Sequence, residues 1–555
     1  RSMSGAKVLL SEPISDAAAT KRIKSGFDYC RRSDAYADVS ALGEFPKVRL
    51  ECGGEYGLAI DDCGRGYSFF GSDTVNVFRG DRYRDDGAFG LFLSEDGKAC
   101  SPTFAPLCKD VTARVVYTRD GSEYTSGAAS LKICVPPGLG GEVRRYEIRN
   151  DGDKAAEYRF VYYERLALAP RAAYAAHPCF EDLFVGTSFD KKRNAIVAER
   201  RSREKSGGLY AALAVIGAEI VPDCDAAHFN GLRFGEYTPP DKEVTGDTLA
   251  PCFGGSCTLR VKAGESASVT VVKFCARSRE ALDDKLEMLG RPDFAEYASK
   301  SVKDGGVLDK YADNAEGRNI LYSLASQLMY RAMPKSAVLS RLISADSEAN
   351  RIAGGKKTVV LRYGDCENYS AWVKACAACA VARIDFVLAI IYKEEDLYAE
   401  TVKRALIDES GISDLDRLHF VRLVDVRGKS RLEAELTAGA FLIGGGEAKT
   451  PSRTSGIAQV ISRSDGERAL PDLYPCGAGG FDARGDYTVT RRPEKPYSNV
   501  ICGKKGGVVV TQNGGGFCYF GSSYFGKTAP WDNDFSADGP FEELRVAVNG
   551  CGGRI

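Results

Sequence analysis

The sequence predicts a mainly β fold with an α/β insert. It comprises a large antiparallel β-sandwich, a helical linker, a small parallel α/β domain and the start of a second, truncated β-sandwich. Three observations carry this expectation. Short strand-like runs separated by Asp-Gly, Asn-Asp-Gly and Pro-Pro-Gly turns recur every 8 to 12 residues from Val48 to about Phe274. Apolar strand-like runs then alternate with helical periods between 357 and 424. Finally, positions 46–72 recur, without a gap, at 496–522.

Residues 1–43 combine one apolar patch (Val8, Leu9, Leu10) with charged residues and sustain neither period, so they read as a connector. Residues 44–290 form the first sandwich. Its strands include Val111-Thr-Ala-Arg-Val-Val-Tyr117, Ser130-Leu-Lys-Ile-Cys-Val135, Glu142-Val-Arg-Arg-Tyr-Glu-Ile148, Tyr158-Arg-Phe-Val-Tyr-Tyr163 and Ser266-Ala-Ser-Val-Thr-Val-Val-Lys-Phe274. Ser278 then precedes a helical period carrying Leu282, Leu286 and Leu289, a capping helix with its N-cap residue in place. Residues 291–345 are a helical linker, with Leu321, Leu324 and Leu328 at 3.6-residue spacing beside Ile320 and Tyr330.

The α/β domain spans 346–470. Its expected strands are Lys357-Thr-Val-Val-Leu-Arg362, Ile384-Asp-Phe-Val-Leu-Ala-Ile-Ile391 and Leu418-His-Phe-Val-Arg-Leu-Val424, with helices over 366–382 and 394–407. Residues 471–555 start the second sandwich. The repeat places nine identities in 27 positions, among them Pro46/Pro496, Cys52-Gly53/Cys502-Gly503 and Phe70-Gly-Ser72/Phe520-Gly-Ser522. Chance would give roughly two, so both stretches are expected to share one supersecondary unit. The chain opens on Arg1-Ser2-Met3 and closes just past Leu544-Arg-Val-Ala-Val548, and it reads as a segment of something longer.

At 555 residues the chain has room for several cores, and 44% apolar with 27% charged residues is the balance of an ordinary globular protein. With 75 Lys+Arg against 76 Asp+Glu it has no summed positive field for phosphate backbones, so nucleic acid is not an expected partner. The sequence contains neither a run of eighteen apolar residues nor a signal-peptide pattern, so no membrane contact is expected from this segment. Eighteen cysteines in so long a chain are expected to be mostly reduced, buried packing residues.

Two stretches bear on function. Gly64-Arg-Gly-Tyr-Ser-Phe-Phe-Gly-Ser72 and Gly514-Gly-Gly-Phe-Cys-Tyr-Phe-Gly-Ser522 alternate aromatics on a strand, which suits either a sugar-stacking platform or a sandwich core. Thr528-Ala-Pro-Trp-Asp-Asn-Asp-Phe-Ser-Ala-Asp538 holds one of two tryptophans among carboxylates and an amide. Trp531 for stacking with Asp532, Asn533 and Asp534 as hydroxyl partners make a carbohydrate-binding candidate, and a Pro-anchored structural turn is the alternative.

His177, His228 and His419 lie far apart without metal spacing, so no metal site is expected, and no organic cofactor either. Cys376-Ala-Ala-Cys379 lies in an Ala-rich helical period and reads as packing rather than a redox pair. The strand ends Arg362-Tyr-Gly-Asp365 and Leu442-Ile-Gly-Gly-Gly446 lack a phosphate-cradle pattern, which leaves the α/β insert structural and a nucleotide-binding role weak. Among 76 acidic residues no catalytic pair stands out by spacing.

Several of these residues resemble a known family. Pro46-Lys-Val-Arg-Leu50, Gly66-Tyr-Ser68, Arg82-Tyr-Arg-Asp-Asp86, Glu142-Val-Arg-Arg-Tyr-Glu-Ile-Arg-Asn150, Ala175-Ala-His-Pro-Cys-Phe180, Leu183-Phe-Val185 and Ala529-Pro-Trp-Asp-Asn-Asp534 are similar to the N-terminal region of glycoside hydrolase family 94. That family holds inverting cellobiose phosphorylases, 1,2-β-oligoglucan phosphorylases and the C-terminal part of cyclic β-1,2-glucan synthases. The doubled sandwich, together with Lys7-Val-Leu-Leu-Ser-Glu-Pro-Ile14, resembles the synthases most.

The resemblance implies an (α/α)₆ barrel, with its general-acid Asp and phosphate site, that these residues do not contain. The segment alone would then be inactive, with no catalytic residue of its own. Its partners, reached through that barrel, would be a β-glucan oligosaccharide and inorganic phosphate. A homodimer contact and a cytoplasmic location are expected, the parent being attached to the inner membrane if it is a synthase. The competing expectation is that both sandwiches are architectural and bind no sugar.

Overall fold

The computed structural model describes residues 46–80, 86–107, 113–118, 121–176, 178–201, 208–232, 235–291, 293–294, 311–312, 314–395, 400–445, 474–490, 497–511, 516–523 and 526–528, with the strand backbones Phe27–Tyr29, Arg545–Val548 and Cys551–Arg554. The fold is mainly β, with several antiparallel sheets, a few helices and one parallel sheet.

Two nine-stranded sheets make the first unit among the described residues. One runs Phe27–Tyr29, Ala113–Thr118, Gly121–Ser126, Ala129–Cys134, Gly141–Arg149, Ser266–Ala276, Tyr210–Ile216, Ala195–Arg200, Val185–Asp190, antiparallel except for its first pair. The other runs Val221–Pro222, Cys252–Val261, Ala156–Pro170, Asp73–Asn76, Gly66–Phe70, Tyr56–Asp61, Val48–Cys52, and Ala88–Ser94 joins it on Ala156–Pro170, with Ala99–Cys100 paired in turn to Ala88–Ser94. The strand Gly141–Arg149 shows why they stack: Tyr146 and Ile148 point inward and are buried, while Arg145, Glu147 and Arg149 point away. Tyr146 and Phe92 both lean on Phe160, with ring centroids 5.1 and 5.3 Å apart. The capping helix is Arg279–Glu287. Ser278 Oγ accepts from Ala281 N, and Leu282 and Leu286 are buried; Leu289 falls in the 3₁₀ turn beyond.

The helix Ala315–Tyr330, capped by Asn314 accepting from Gly317 N, wedges between this sandwich and the α/β unit. In that unit all strands are parallel, in the order Val421–Asp425, Val387–Tyr392, Thr358–Arg362, Leu442–Ile443. The helices Tyr369–Val381 and Thr401–Ser410 cover one face. The helices Lys335–Ile343, Glu348–Ala353 and Ser430–Ala438 lie on the other. The helix expected over 394–407 begins only at Thr401. Glu394 stands outside it and caps it from a distance, its carboxylate accepting from Val402 N (2.9 Å) and Lys403 N (3.1 Å).

The repeat is a structural one. Val48–Cys52, Tyr56–Asp61 and Gly66–Phe70 form a meander, as do Ser498–Cys502, Gly506–Thr511 and Gly516–Phe520. Each pairing in the second is the first shifted by 450: Val48↔Asp61 becomes Ser498↔Thr511, and Tyr56↔Phe70 becomes Gly506↔Phe520. Gly66 and Gly516 are glycine for one reason, since a Cβ on either would stand 2.0 Å from a carbonyl across the hairpin, that of Ala59 or Val509. The two copies differ in burial. The first is walled on both faces, whereas Ile501, Val510 and Phe520 of the second are exposed, on the face that in the first copy meets the opposite sheet.

Candidate functional site

Trp531, Asp532, Asn533 and Asp534 lie outside the described residues, as does His177. The sugar-platform reading of 64–72 is corrected by the structure: Tyr67, Phe69 and Phe70 are 1, 2 and 4% exposed. The opposite sheet packs on one face of their strand, and the bridging helix and α/β unit close the other, so these rings are core. In the second copy only Phe520 is widely exposed, while Phe517 is buried with Lys527 Nζ 5.0 Å from its ring centre.

Carboxylates that sequence spacing could not rank are sorted by their contacts. Glu142 and Arg144 occupy inward positions of Gly141–Arg149 and cannot reach water. Arg144 Nε bonds Glu142 Oε1 at 2.8 Å, and Lys273 Nζ sits between Glu142 Oε1 (3.0 Å) and Glu164 Oε1, with Ser68 Oγ at 3.2 Å. Tyr162 OH donates to Glu164 Oε2. Burial works to raise the Glu142 carboxyl, and the Arg144 and Lys273 charges overcome it and hold the group below the ordinary range. The neighbouring crevice, lined by Arg144, Asn76 and Tyr67, has no room for a water molecule, so this network binds the two sheets together and receives no substrate.

Asp61, Asp62 and Cys63 put ligand-type atoms within 4.8 Å of one another, the one such cluster among the described residues. Each of its ligand-type atoms is already engaged within the fold. Asp61 Oδ1 accepts from Cys63 N (2.9 Å) and Arg65 N (2.8 Å), and Oδ2 from Tyr330 OH (2.9 Å). Asp62 Oδ2 accepts from Lys47 N, and Cys63 Sγ donates to Asp62 Oδ1. Burial raises the Asp61 carboxyl well above the usual range against the pull of Arg65, with Asp62 adding to the rise. The cluster is a knot tying the first meander to the bridging helix.

A partly open polar group remains on the outer side of the second sheet. Asp225 caps the 3₁₀ turn Ala226–Phe229 by accepting from Ala227 N, and the turn brings His228 Nδ1 to 2.8 Å from Asp223 Oδ1. Tyr237 OH donates to Asp223 Oδ2 at 3.1 Å. Phe229 is stacked between Tyr163 and Tyr237, centroids 4.8 and 4.9 Å away, which fixes the turn. The Asp223 side chain is fully buried while that of His228 is 42% exposed. Burial raises the Asp223 carboxyl against the pull of His228. With Asp223 ionised, Nδ1–H donates to it, and Nε2 is left to a partner from outside this pair. Sequence reasoning weighed His228 only as a metal ligand and passed it over. The legible signal was Asp223-Cys-Asp225 five and three residues ahead of it, a buried acid and a cap in one turn.

In the α/β unit, the strand order puts the switch point between Thr358–Arg362 and Leu442–Ile443, where open parallel sheets take ligands at their carboxyl ends. Here that place is filled: Gly444 packs on the Trp372 ring, and Gly445 lies so near Cys366 that a Cβ would stand 2.7 Å from its Cα. Cys376 and Cys379 are wholly buried, with thiols raised by that burial, as packing residues should be.

No curated protein sequence matches the chain. Solved structures with similar parts include a bacterial glucoamylase complexed with acarbose (12% identity over 55% of this chain and 43% of that one, TM-score 0.32). Others are a polysaccharide lyase (16% identity, 44% and 34%, TM-score 0.27) and a protein described as a kojibiose phosphorylase from the human microbiome (10%, 53% and 39%, TM-score 0.26). The matched part thus spans less than half the length of each of these proteins. Residues 41–291 match the family model of the supersandwich domain of glycosyl hydrolase 94, so the first sandwich is similar to that domain.

Proposed function

We propose that the chain is the non-catalytic, carbohydrate-associated region of a family 94-type inverting phosphorylase or cyclic β-1,2-glucan synthase acting on β-linked glucans. The observation that carries this reading is the supersandwich match over 41–291. It is supported by the commitment of the buried carboxylates Asp61, Glu142, Glu164, Asp182 and Asp223 to partners within the fold. In such an enzyme phosphate attacks the anomeric carbon while a carboxylic acid protonates the leaving oxygen, giving an inverted sugar 1-phosphate. That acid, the phosphate and the glucan would meet in an (α/α)₆ barrel supplied by another part of the parent. Trp531, Asp532, Asn533 and Asp534 are proposed as its carbohydrate contact from this chain.

The location proposed is cytoplasmic, with any membrane attachment made by other segments of a synthase; no helix among the described residues is long and apolar enough to cross a membrane. Incubating the purified chain with β-1,2-gluco-oligosaccharides and inorganic phosphate should release no sugar 1-phosphate, and clear turnover would overturn the proposal.

A second reading is favoured by the buried aromatics of the first meander: the sandwiches brace the barrel, form a homodimer contact and bind no sugar. Trp531→Ala in the full-length parent separates the two. A stacking loop loses kcat/KM or saccharide affinity, whereas a brace loses stability alone.

A further inference from the structure

The helix Lys335–Ile343 is turned inside out. Ala337 is its one buried residue, and polar bonds hold it to the α/β unit. Arg341 reaches inward, with Nε donating to Gly439 O (2.8 Å), Nη1 to Lys356 O (2.8 Å) and Nη2 to Thr358 Oγ1 (2.9 Å). Asn350 Nδ2 closes the C-terminal end by donating to Arg341 O and Ser344 O. The large apolar side chains point the other way: Val338, Leu339, Leu342 and Ile343 are 42, 59, 70 and 79% exposed. Their spacing places them on one side of the helix as a continuous stripe. A surface helix ordinarily keeps such a stripe for the core, and a contiguous apolar patch left outside marks an interaction surface.

The order of residues along the stripe says what it fits. Two such helices laid antiparallel about a two-fold axis oppose residues that lie equally far from the midpoint between Ser340 and Arg341. Val338 then meets Ile343, and Leu339 meets Leu342. Lys335, exposed at the start of the helix, meets Asp346, exposed in the turn beyond its end. Each pair is apolar with apolar or cation with anion, which is the self-complementarity an isologous contact requires. We propose that two copies of the chain associate through this helix, antiparallel, with the apolar side chains at the centre and a Lys335–Asp346 pair at either end. Four apolar side chains from each copy make a small interface, so the association is weak and depends on concentration. The contact lies on the α/β unit and not on the sandwiches, and it is independent of any glucan binding.

The test is sedimentation equilibrium of the whole chain across a range of concentrations, where a reversible monomer–dimer equilibrium is expected. Leu342→Asp puts a carboxylate into the centre of the stripe and should weaken the association at least about tenfold while leaving the urea midpoint of the monomer in place. Lys335→Glu and Asp346→Lys should each weaken it as well, most at low salt, because like charges then oppose. The double reversal Lys335→Glu with Asp346→Lys should restore the parent's affinity. Phe520→Asp, on the exposed face of the second meander, should change nothing.

A chain that stays monomeric at every concentration overturns the contact, as does a Leu342→Asp variant that associates like the parent. Loss of association in Phe520→Asp would assign it to the meander instead, and a double reversal no tighter than its single changes would rule out this antiparallel register. Should Leu342→Asp fail to fold, the charge reversals, made at exposed positions, decide the same question.

Discussion

Asp61 shows how one buried residue sets a dependence on pH. Its carboxyl is raised by burial, so the folded state holds a proton that the unfolded state has released. Its contribution to stability is complete below the ordinary carboxylate value and is lost as pH rises through the raised one. Asp61→Asn should therefore flatten the decline in stability between acid and neutral pH, as read from urea midpoints across that range. Tyr330→Phe removes the donor to Asp61 Oδ2 and should cost about 1–2 kcal/mol by chemical denaturation. At the ion network, Lys273→Met leaves Glu142 and Glu164 facing each other without their shared cation, and about 3–5 kcal/mol should be lost. These residues were not legible in the sequence. Glu142, Arg144 and Lys273 sit in alternating strands where a charged residue is the mark of the solvent face, and only the opposing sheet reveals that the charges point inward. His228 is marked only by the acid and the cap just ahead of it, and the 3₁₀ turn is what brings Asp223 onto its ring.

Among the elements, the strands and the parallel unit were readable because their periods are strong and their turns carry glycine. Helix starts were less so. Asn314 and Ser278 behave as caps at the helix itself, but the cap of Thr401–Ser410 comes from Glu394, which no local rule connects to position 401. The meander is where sequence and structure agree most closely, down to the pairing of single residues. Gly66→Ala and Gly516→Ala both force a Cβ onto a cross-strand carbonyl. Each should cost at least about 1–3 kcal/mol of local stability. The loss should appear as faster amide exchange of Tyr56–Asp61 in the first variant and of Gly506–Thr511 in the second.

Across the whole molecule, the bridging helix makes one cooperative body of the sandwich and the α/β unit. Arg49 Nη1 donates to Tyr322 OH, Tyr330 OH to Asp61, and Tyr67 OH to Ala382 O, so polar bonds cross both seams of a continuous apolar core. Tyr322→Ala should cost about 3–5 kcal/mol. Hydrogen exchange should then rise together in Val48–Cys52 and Val387–Tyr392, and a rise confined to one of them would show the units to be independent. The linker was legible as helical, but its role as a wedge needs the long-range partners that period alone does not name. The two copies of the meander also make the chain ambiguous to itself while it folds. Strands with interchangeable pairing offer the nascent sheet a wrong neighbour 450 residues away. What guards against the exchange is the divergence at Glu51, which accepts from Ser122 Oγ, against Ile501, which cannot. A swapped strand would bury the Ser122 hydroxyl without its carboxylate acceptor, a mismatch that disfavours the wrong pairing.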